Sequence, residues 1–177
     1  MQISLIILIG LTSTCTAYID KHLVNCYSNE CQRLDVQDGL AEFDMKVRPT
    51  PDLGYAGIQT LSNGDVVSGL VLKRREGLCM YYAYENQGEK NCESIRVLKK
   101  SSLNNRECEY YEDRIKGVNV VNFRNRIPVE ILYNNERNFG ILDDRSRLVK
   151  YWSFVDGVVT YKFKDAKYVT RLLHCIV

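Results

Sequence analysis

Two histidines, a pair of adjacent aspartates and one cluster of carboxylates are the groups in this chain that could move a proton. His22 and His174 are its only imidazoles. A histidine near a terminus is usually solvated, and one flanking a cysteine, as His174 flanks Cys175, is usually packed, so neither reads as a catalytic base. Asp143-Asp144 precedes Arg145 in a polar stretch, 134–147, which reads as a charged loop. Glu107, Glu109, Glu112 and Asp113 interleave with Tyr110 and Tyr111. Carboxylates so close in sequence form a solvated face, whereas glycosidase chemistry needs two of them roughly 5–10 Å apart across a cleft. There is no phosphate-binding Walker loop, no dinucleotide fingerprint and no serine elbow. Lys73-Arg74-Arg75 is the densest basic run, and its place at a strand end before Glu76 reads as a turn. The sequence therefore names no reaction, and no cofactor is expected.

Seven cysteines are present. Cys15 lies in an apolar leader, residues 1–17, that has the small-residue exit of a secretory signal peptide, with cleavage expected after Ala17. The mature domain, 18–177, keeps Cys26, Cys31, Cys79, Cys92, Cys108 and Cys175. An even number in a secreted chain argues for disulfides, with the connectivity open. A zinc site is not expected, because no Cys-x-x-Cys occurs and histidine is scarce. The net charge of +2, from 24 basic and 22 acidic residues, is too small to imply nucleic-acid binding by itself. A 45% hydrophobic and 26% charged composition excludes a disordered or collagen-like chain.

Strands are the elements that must position these groups. The Asn63-Gly64 dipeptide marks a tight turn into a strand over 65–72. Further strands are expected over 41–47, 78–84, 117–123, 129–133, 148–154, 158–163 and 169–177, with Asp156-Gly157 joining two of them. Helix is expected over 92–100, where Ile95 and Leu98 share a face, and in a short piece within 23–34. No repeat is visible by eye. The fold class is α+β, mostly β: a short helix packed on an antiparallel sheet, disulfide-stapled, in a single domain. Twelve tyrosines suit half-buried pleated surfaces.

From Asn125 onward the chain resembles the small guanyl-specific ribonucleases secreted by fungi. Arg126-Ile127-Pro128-Val129, Asp144-Arg145, Leu148-Val149-Lys150-Tyr151, Gly157-Val158-Val159-Thr160-Tyr161 and Cys175 follow the family's order of motifs. The family's catalytic glutamate and histidine are matched by Arg126 and Tyr161, and its upstream histidine falls near Tyr110. Only an arginine, Arg145, is retained. Tyrosine, with a pKa near 10, is a poor acid–base substitute.

A ribonuclease-like scaffold without its catalytic set is similar to the secreted effectors of powdery mildew fungi. That resemblance implies a non-catalytic protein, acting in or around a host cell, that binds host RNA or a host protein. Arg126, Arg145, Tyr161 and Tyr110 are the binding residues it suggests, through stacking and phosphate contact. It also implies a disulfide from Cys175 to the first third of the mature chain, with Cys31 preferred over Cys26. The alternative is an extracellular small-ligand carrier of the lipocalin-like β-barrel type, although the Gly-x-Trp signature is absent and Trp152 is the only tryptophan. No membrane span is expected, and a monomer is.

Overall fold

The computed structural model describes residues 19–27, 39–46, 53–112 and 119–176. The leader, Cys31 and most of the expected 23–34 helix lie outside the described residues. What is described is mostly β, with two antiparallel sheets. The first contains β1 (Leu23–Tyr27), β2 (Phe43–Asp44), β3 (Leu53–Thr60), β4 (Val66–Arg74), β5 (Gly77–Tyr84), β6 (Gln87–Asn91) and β7 (Ser94–Leu98). The second contains β8 (Cys108–Tyr111), β9 (Arg126–Tyr133), β10 (Glu136–Asp143), β11 (Leu148–Ser153), β12 (Gly157–Lys162) and β13 (Val169–Cys175). One five-residue helix, α1 (Lys100–Asn104), connects the two.

Several expectations are corrected here. Residues 92–100 are not a helix but contain β7, which pairs with both β1 and β3. Ile95 and Val97 are both buried, a period of two that the helical reading of Ile95 and Leu98 overlooked. The stretch 134–147 is not a loop, because it contains all of β10. Asn134 and Asn135 both adopt positive φ, 48° and 61°, and so make a two-residue hairpin turn in which asparagine tolerates the left-handed region. The helix-on-sheet arrangement is absent from the described residues, where α1 is a single short turn between sheets.

The strand orders reveal a duplication that the sequence hides. The first sheet runs β1-β7-β3-β4-β5-β6, with β2 on β3; the second, read from its far edge, runs β8-β13-β9-β10-β11-β12. Apart from β2, each strand of one half has a counterpart at the same place in the other. Pairing of Gly57 with Gly69 and Val97 corresponds to pairing of Val129 with Gly140 and Leu172. On that register Arg96-Val97-Leu98 matches Arg171-Leu172-Leu173. The halves face each other through counterparts, β4 against β10 and β5 against β11.

Burial follows this plan. Ala56, Ile58, Val66, Leu70, Phe139, Ile141, Leu98 and Leu173 form the layer between the halves. Each half also has its own core: Tyr55, Val71, Met80 and Val97 in the first, Ile127, Ile131, Tyr151 and Leu172 in the second. The second sheet curls strongly, since the Tyr161 hydroxyl on β12 lies 2.6 Å from Thr170 Oγ1 on β13, several strands away in sheet order. Neither sheet is the closed eight-stranded barrel that the carrier alternative assumes.

The disulfides correct a further expectation. Cys175 is bonded to Cys108, across the β8–β13 ladder, and not to Cys31 or Cys26. Cys79 on β5 is bonded to Cys92, just beyond β6. Cys26 is also disulfide-bonded. The end-to-end closure implied by the effector resemblance is therefore absent, and the support it would have lent that resemblance goes with it.

Candidate functional site

The internal pseudo-symmetry generates two clefts between the halves, one at each end of the β4–β10 contact. The first, about 430 Å³, is lined by Asp65 and Tyr84 from the first half and by Arg126, Asp143, Ser146 and Lys150 from the second, among others. The second, about 670 Å³, is lined by Leu53, Leu70, Leu72, Lys73 and Arg74 from the first half and by Glu136, Arg137 and Phe154 from the second, with Met45 and Lys46 at one end. Both volumes lie in the usual range for ligand sites. The halves' register maps Asp65 on Glu136, Glu85 on Phe154, Lys150 on Tyr81 and Asp143 on Leu72. The same cleft has thus become polar and mixed in charge at one end, cationic and apolar at the other.

One of the four suggested binding residues, Arg126, lines the first cleft, and a second, Arg145, lies on the turn after Asp143. Arg126 opens β9 opposite Asp143, and its Nη1 is 3.8 Å from Asp143 Oδ2. The backbone N–H of Arg145 donates to Asp143 Oδ1 at 3.0 Å, so the Asp143 carboxylate organises the turn that carries this exposed arginine. Across the cleft, the Tyr84 hydroxyl donates to Asp65 Oδ2 at 2.9 Å, and Asn63 Nδ2 donates to that hydroxyl at 2.6 Å. Lys150 Nζ donates to the Glu85 carbonyl at 2.6 Å. The two cations that line the cleft, Arg126 and Lys150, each work against a nearby acceptor, which leaves little field for a polyanion.

The two tyrosines do not reach either cleft. Tyr161 is buried, its hydroxyl held by Thr170 and its ring stacked on Tyr168. Burial pushes its phenol pKa well above the ordinary value, against the weaker lowering effect of the Thr170 bond. Tyr110 lies between the halves against the Phe43 and Phe139 rings, and its buried hydroxyl has no hydrogen-bond partner. Burial, with the Glu130 carboxylate adding, raises its pKa strongly. An unpaired buried hydroxyl costs about 1–3 kcal/mol. Tyr110→Phe is therefore expected to stabilise the fold by about 1 kcal/mol, read as a rise in the denaturation midpoint; a fall would show that the hydroxyl has a partner.

The histidines are both buried, contrary to the solvated position expected for His22. His22 Nδ1 lies 2.9 Å from Ser102 Oγ and 3.6 Å from Glu107 Oε2, while Nε2 is 3.1 Å from the Ile176 carbonyl. The set of Ser, His and Glu is not a hydrolytic triad, because serine and carboxylate share one ring nitrogen instead of occupying both. His22 also approaches Cys108 and Cys175, but their sulfurs are tied in the disulfide and are not thiolate ligands. His174 Nδ1 donates to the Leu172 carbonyl at 2.9 Å.

At the rim of the second cleft is an arrangement that residue-by-residue reading missed. The guanidinium of Arg74 lies 5.4 Å from the centres of both the Tyr81 and the Phe154 rings, and Arg74 Nε donates to the Tyr81 hydroxyl at 3.0 Å. Tyr81 stacks on Trp152 at 5.5 Å, and Phe154 meets both rings. Phe154 is 51% exposed. Lys90 Nζ is 5.9 Å from the Tyr81 ring centre and is paired with Glu76. The basic run 73–75 is thus one end of a cation–ring ledge. Its rings come from β5 and from β11 with the turn after it, elements distant in sequence.

No protein-family model matches this chain, and no curated protein sequence matches it. Among solved structures the chain is similar in fold to the nematode sperm cell motility protein MFP2B, with a TM-score of 0.56 at 10% sequence identity. The match covers 86% of this chain and 44% of the MFP2B chain, so the chain spans less than half the length of that neighbour. At this identity the likeness concerns the fold alone.

Proposed function

We propose that the protein is a secreted, non-catalytic binding module that takes single-stranded RNA on the cation–ring ledge beside the second cleft. The observation that carries this reading is Arg74 set between Tyr81 and the exposed Phe154. Rings that accept a base face, next to a cation that meets phosphate, are what sequence-tolerant single-strand binding uses. Lys73 and Arg75 flank Arg74, and only the Glu76 carboxylate stands immediately beside the run. With a net charge of +2 the attraction is local, which favours short strands over long duplexes. The Cys79–Cys92 and Cys108–Cys175 bonds are consistent with an oxidising, extracellular compartment. The host-directed effector role remains the biological setting of this proposal and rests on the sequence resemblance alone. The non-catalytic part is supported by burial of both histidines away from the two clefts.

Fluorescence anisotropy with a labelled single-stranded oligoribonucleotide tests the reading. Stacking of one base contributes about 1–3 kcal/mol, so Arg74→Ala with Phe154→Ala is expected to weaken binding at least tenfold. Arg126→Ala with Arg145→Ala, at the other cleft, is expected to change it little. Binding should fall with salt, and the RNA should remain intact. Cleavage after guanosine would overturn the non-catalytic assignment. Failure to bind would redirect the search to a host protein, or to the carrier alternative, for which the apolar floor of the second cleft offers a site.

A further inference from the structure

Three of the twelve tyrosines form one continuous stack at the curled end of the second sheet. The Tyr161 and Tyr168 rings lie 3.7 Å apart, centre to centre, and 7° from parallel. Tyr133 stacks on the opposite face of Tyr168 at 4.5 Å and 24°. Tyr151 meets Tyr161 edge-on at 6.3 Å. Tyr161 belongs to β12, while Tyr168 sits in the turn that leads from β12 into β13, so the closest pair is separated by only seven residues. Tyr168 is partly exposed, Tyr161 is buried beneath it, and the Tyr161 hydroxyl has Thr170 Oγ1 at 2.6 Å.

Packing alone accounts for an aromatic pair in a core, but aromatic pairs ordinarily prefer offset or edge-on geometry. Here two phenol rings face each other directly at van der Waals distance. That is the approach needed for a bond between ring carbons, which forms perpendicular to the ring planes. Holding the partners in this geometry removes the entropy cost that normally limits such a coupling. Tyr168, the middle ring of the stack, is partly exposed to an oxidant in solution, whereas Tyr161 is buried and faces solvent only through its partner.

We propose that Tyr161 and Tyr168 are a site of oxidative cross-linking, joined as dityrosine by a peroxidase-type oxidant with hydrogen peroxide. Each phenol gives up one electron and its hydroxyl proton. The two phenoxyl radicals then form one carbon–carbon bond between positions ortho to the oxygens. The ring hydrogens displaced at that bond are lost as protons and the oxygens are reprotonated, which restores both phenols. Hydrogen peroxide accepts the two electrons and two protons and leaves as two waters. The product lacks two hydrogens and ties the β12–β13 turn to β12. Lys164, at φ 72°, lies within that turn, whose short irregular course must absorb the swing of the rings after coupling.

The test treats the full chain, dilute and disulfide-bonded, with a haem peroxidase and limiting hydrogen peroxide. The expected result is monomer lighter by two hydrogens, with dityrosine fluorescence, and a linked peptide pair containing Tyr161 and Tyr168. Tyr168→Phe keeps the ring stack, loses the oxidisable hydroxyl and should abolish the product; Tyr27→Phe, at an exposed site, should not. No intramolecular product from wild type, a link joining Tyr133 to Tyr168 instead, or dimers joined only through exposed Tyr27 or Tyr111 would each overturn the assignment.

Discussion

The double variant Cys108→Ala/Cys175→Ala is expected to lose on the order of 4 kcal/mol of stability, because the bond closes a loop spanning 67 residues. In the chain-entropy account that cost arises in the unfolded chain, where the crosslink removes freedom before folding begins. Its position adds a native-state component. Both sulfurs are fully buried in the layer between the halves, packed with Leu98 and Leu173. The register also holds β8 on β13 at Cys108↔Cys175, and β8 has no other strand partner in the sheet. Without the bond, β8 depends on four residue pairings and the burial of Tyr110 and Cys108. Chemical denaturation at equilibrium measures the loss. Peptide mapping without reduction gives the connectivity directly, and recovery of Cys175 linked to any other cysteine would refute both statements. Removal of Cys79–Cys92, separated by 13 residues, is expected to cost less on the same entropic grounds.

A second large effect is expected at two glycines that the duplication makes equivalent. A Cβ on Gly69 would lie 2.1 Å from the Tyr81 carbonyl oxygen and 2.8 Å from Tyr82 Cβ. On Gly140 it would lie 2.4 Å from the Lys150 carbonyl oxygen and 2.7 Å from Tyr151 Cβ. The obstruction is the neighbouring strand's backbone, which no rotamer change can relieve. Each half therefore pulls its central strand close to the next one at the same point, β4 to β5 and β10 to β11. Gly69→Ala and Gly140→Ala are each expected to cost roughly 2–3 kcal/mol, near the top of the usual range for overpacking. Lying in different sheets, they should add. Gly64→Ala is the control: nothing obstructs its Cβ, and only its φ of +87° opposes the change, so about 1 kcal/mol is expected. Thermal or urea denaturation of the three variants decides the matter, and a Gly140→Ala protein as stable as wild type would remove the proposed equivalence.

About half of the strands were legible, whereas β1, β3, β6, β7 and β8 were not read as strands. β4, β5, β9, β11, β12 and β13 fall where apolar and β-branched runs were bounded by Asn63-Gly64, Asp156-Gly157 and the turn after Tyr84. β10 was not, since it begins with Glu136-Arg137-Asn138 and reads as polar. In the structure Arg137 and Arg171 converge on the buried Glu130 carboxylate, with Nε to Oε2 and Nη1 to Oε1 both at 3.1 Å. Charges satisfied by partners on β9, β10 and β13 can occupy a sheet interior, but the partners are up to 41 residues apart and leave no local pattern. Of the binding candidates, Arg126 lines one cleft and Arg145 lies on the turn after Asp143, whereas Tyr110 and Tyr161 are packed in apolar cores, because sequence does not show which face of a pleat is covered.

The sequence by itself determined that the chain is built of short antiparallel strands, since the period of two and the turn dipeptides are properties of neighbouring residues. It also determined that several cysteines would be paired. Which cysteines pair, how the strands are ordered, that one half repeats the other, and that Arg74 meets Tyr81 and Phe154 were decided only by tertiary structure. Each of these depends on contacts between residues far apart in the chain. Such contacts are fixed when two curled sheets bury a common layer, and no local pattern of residues encodes them.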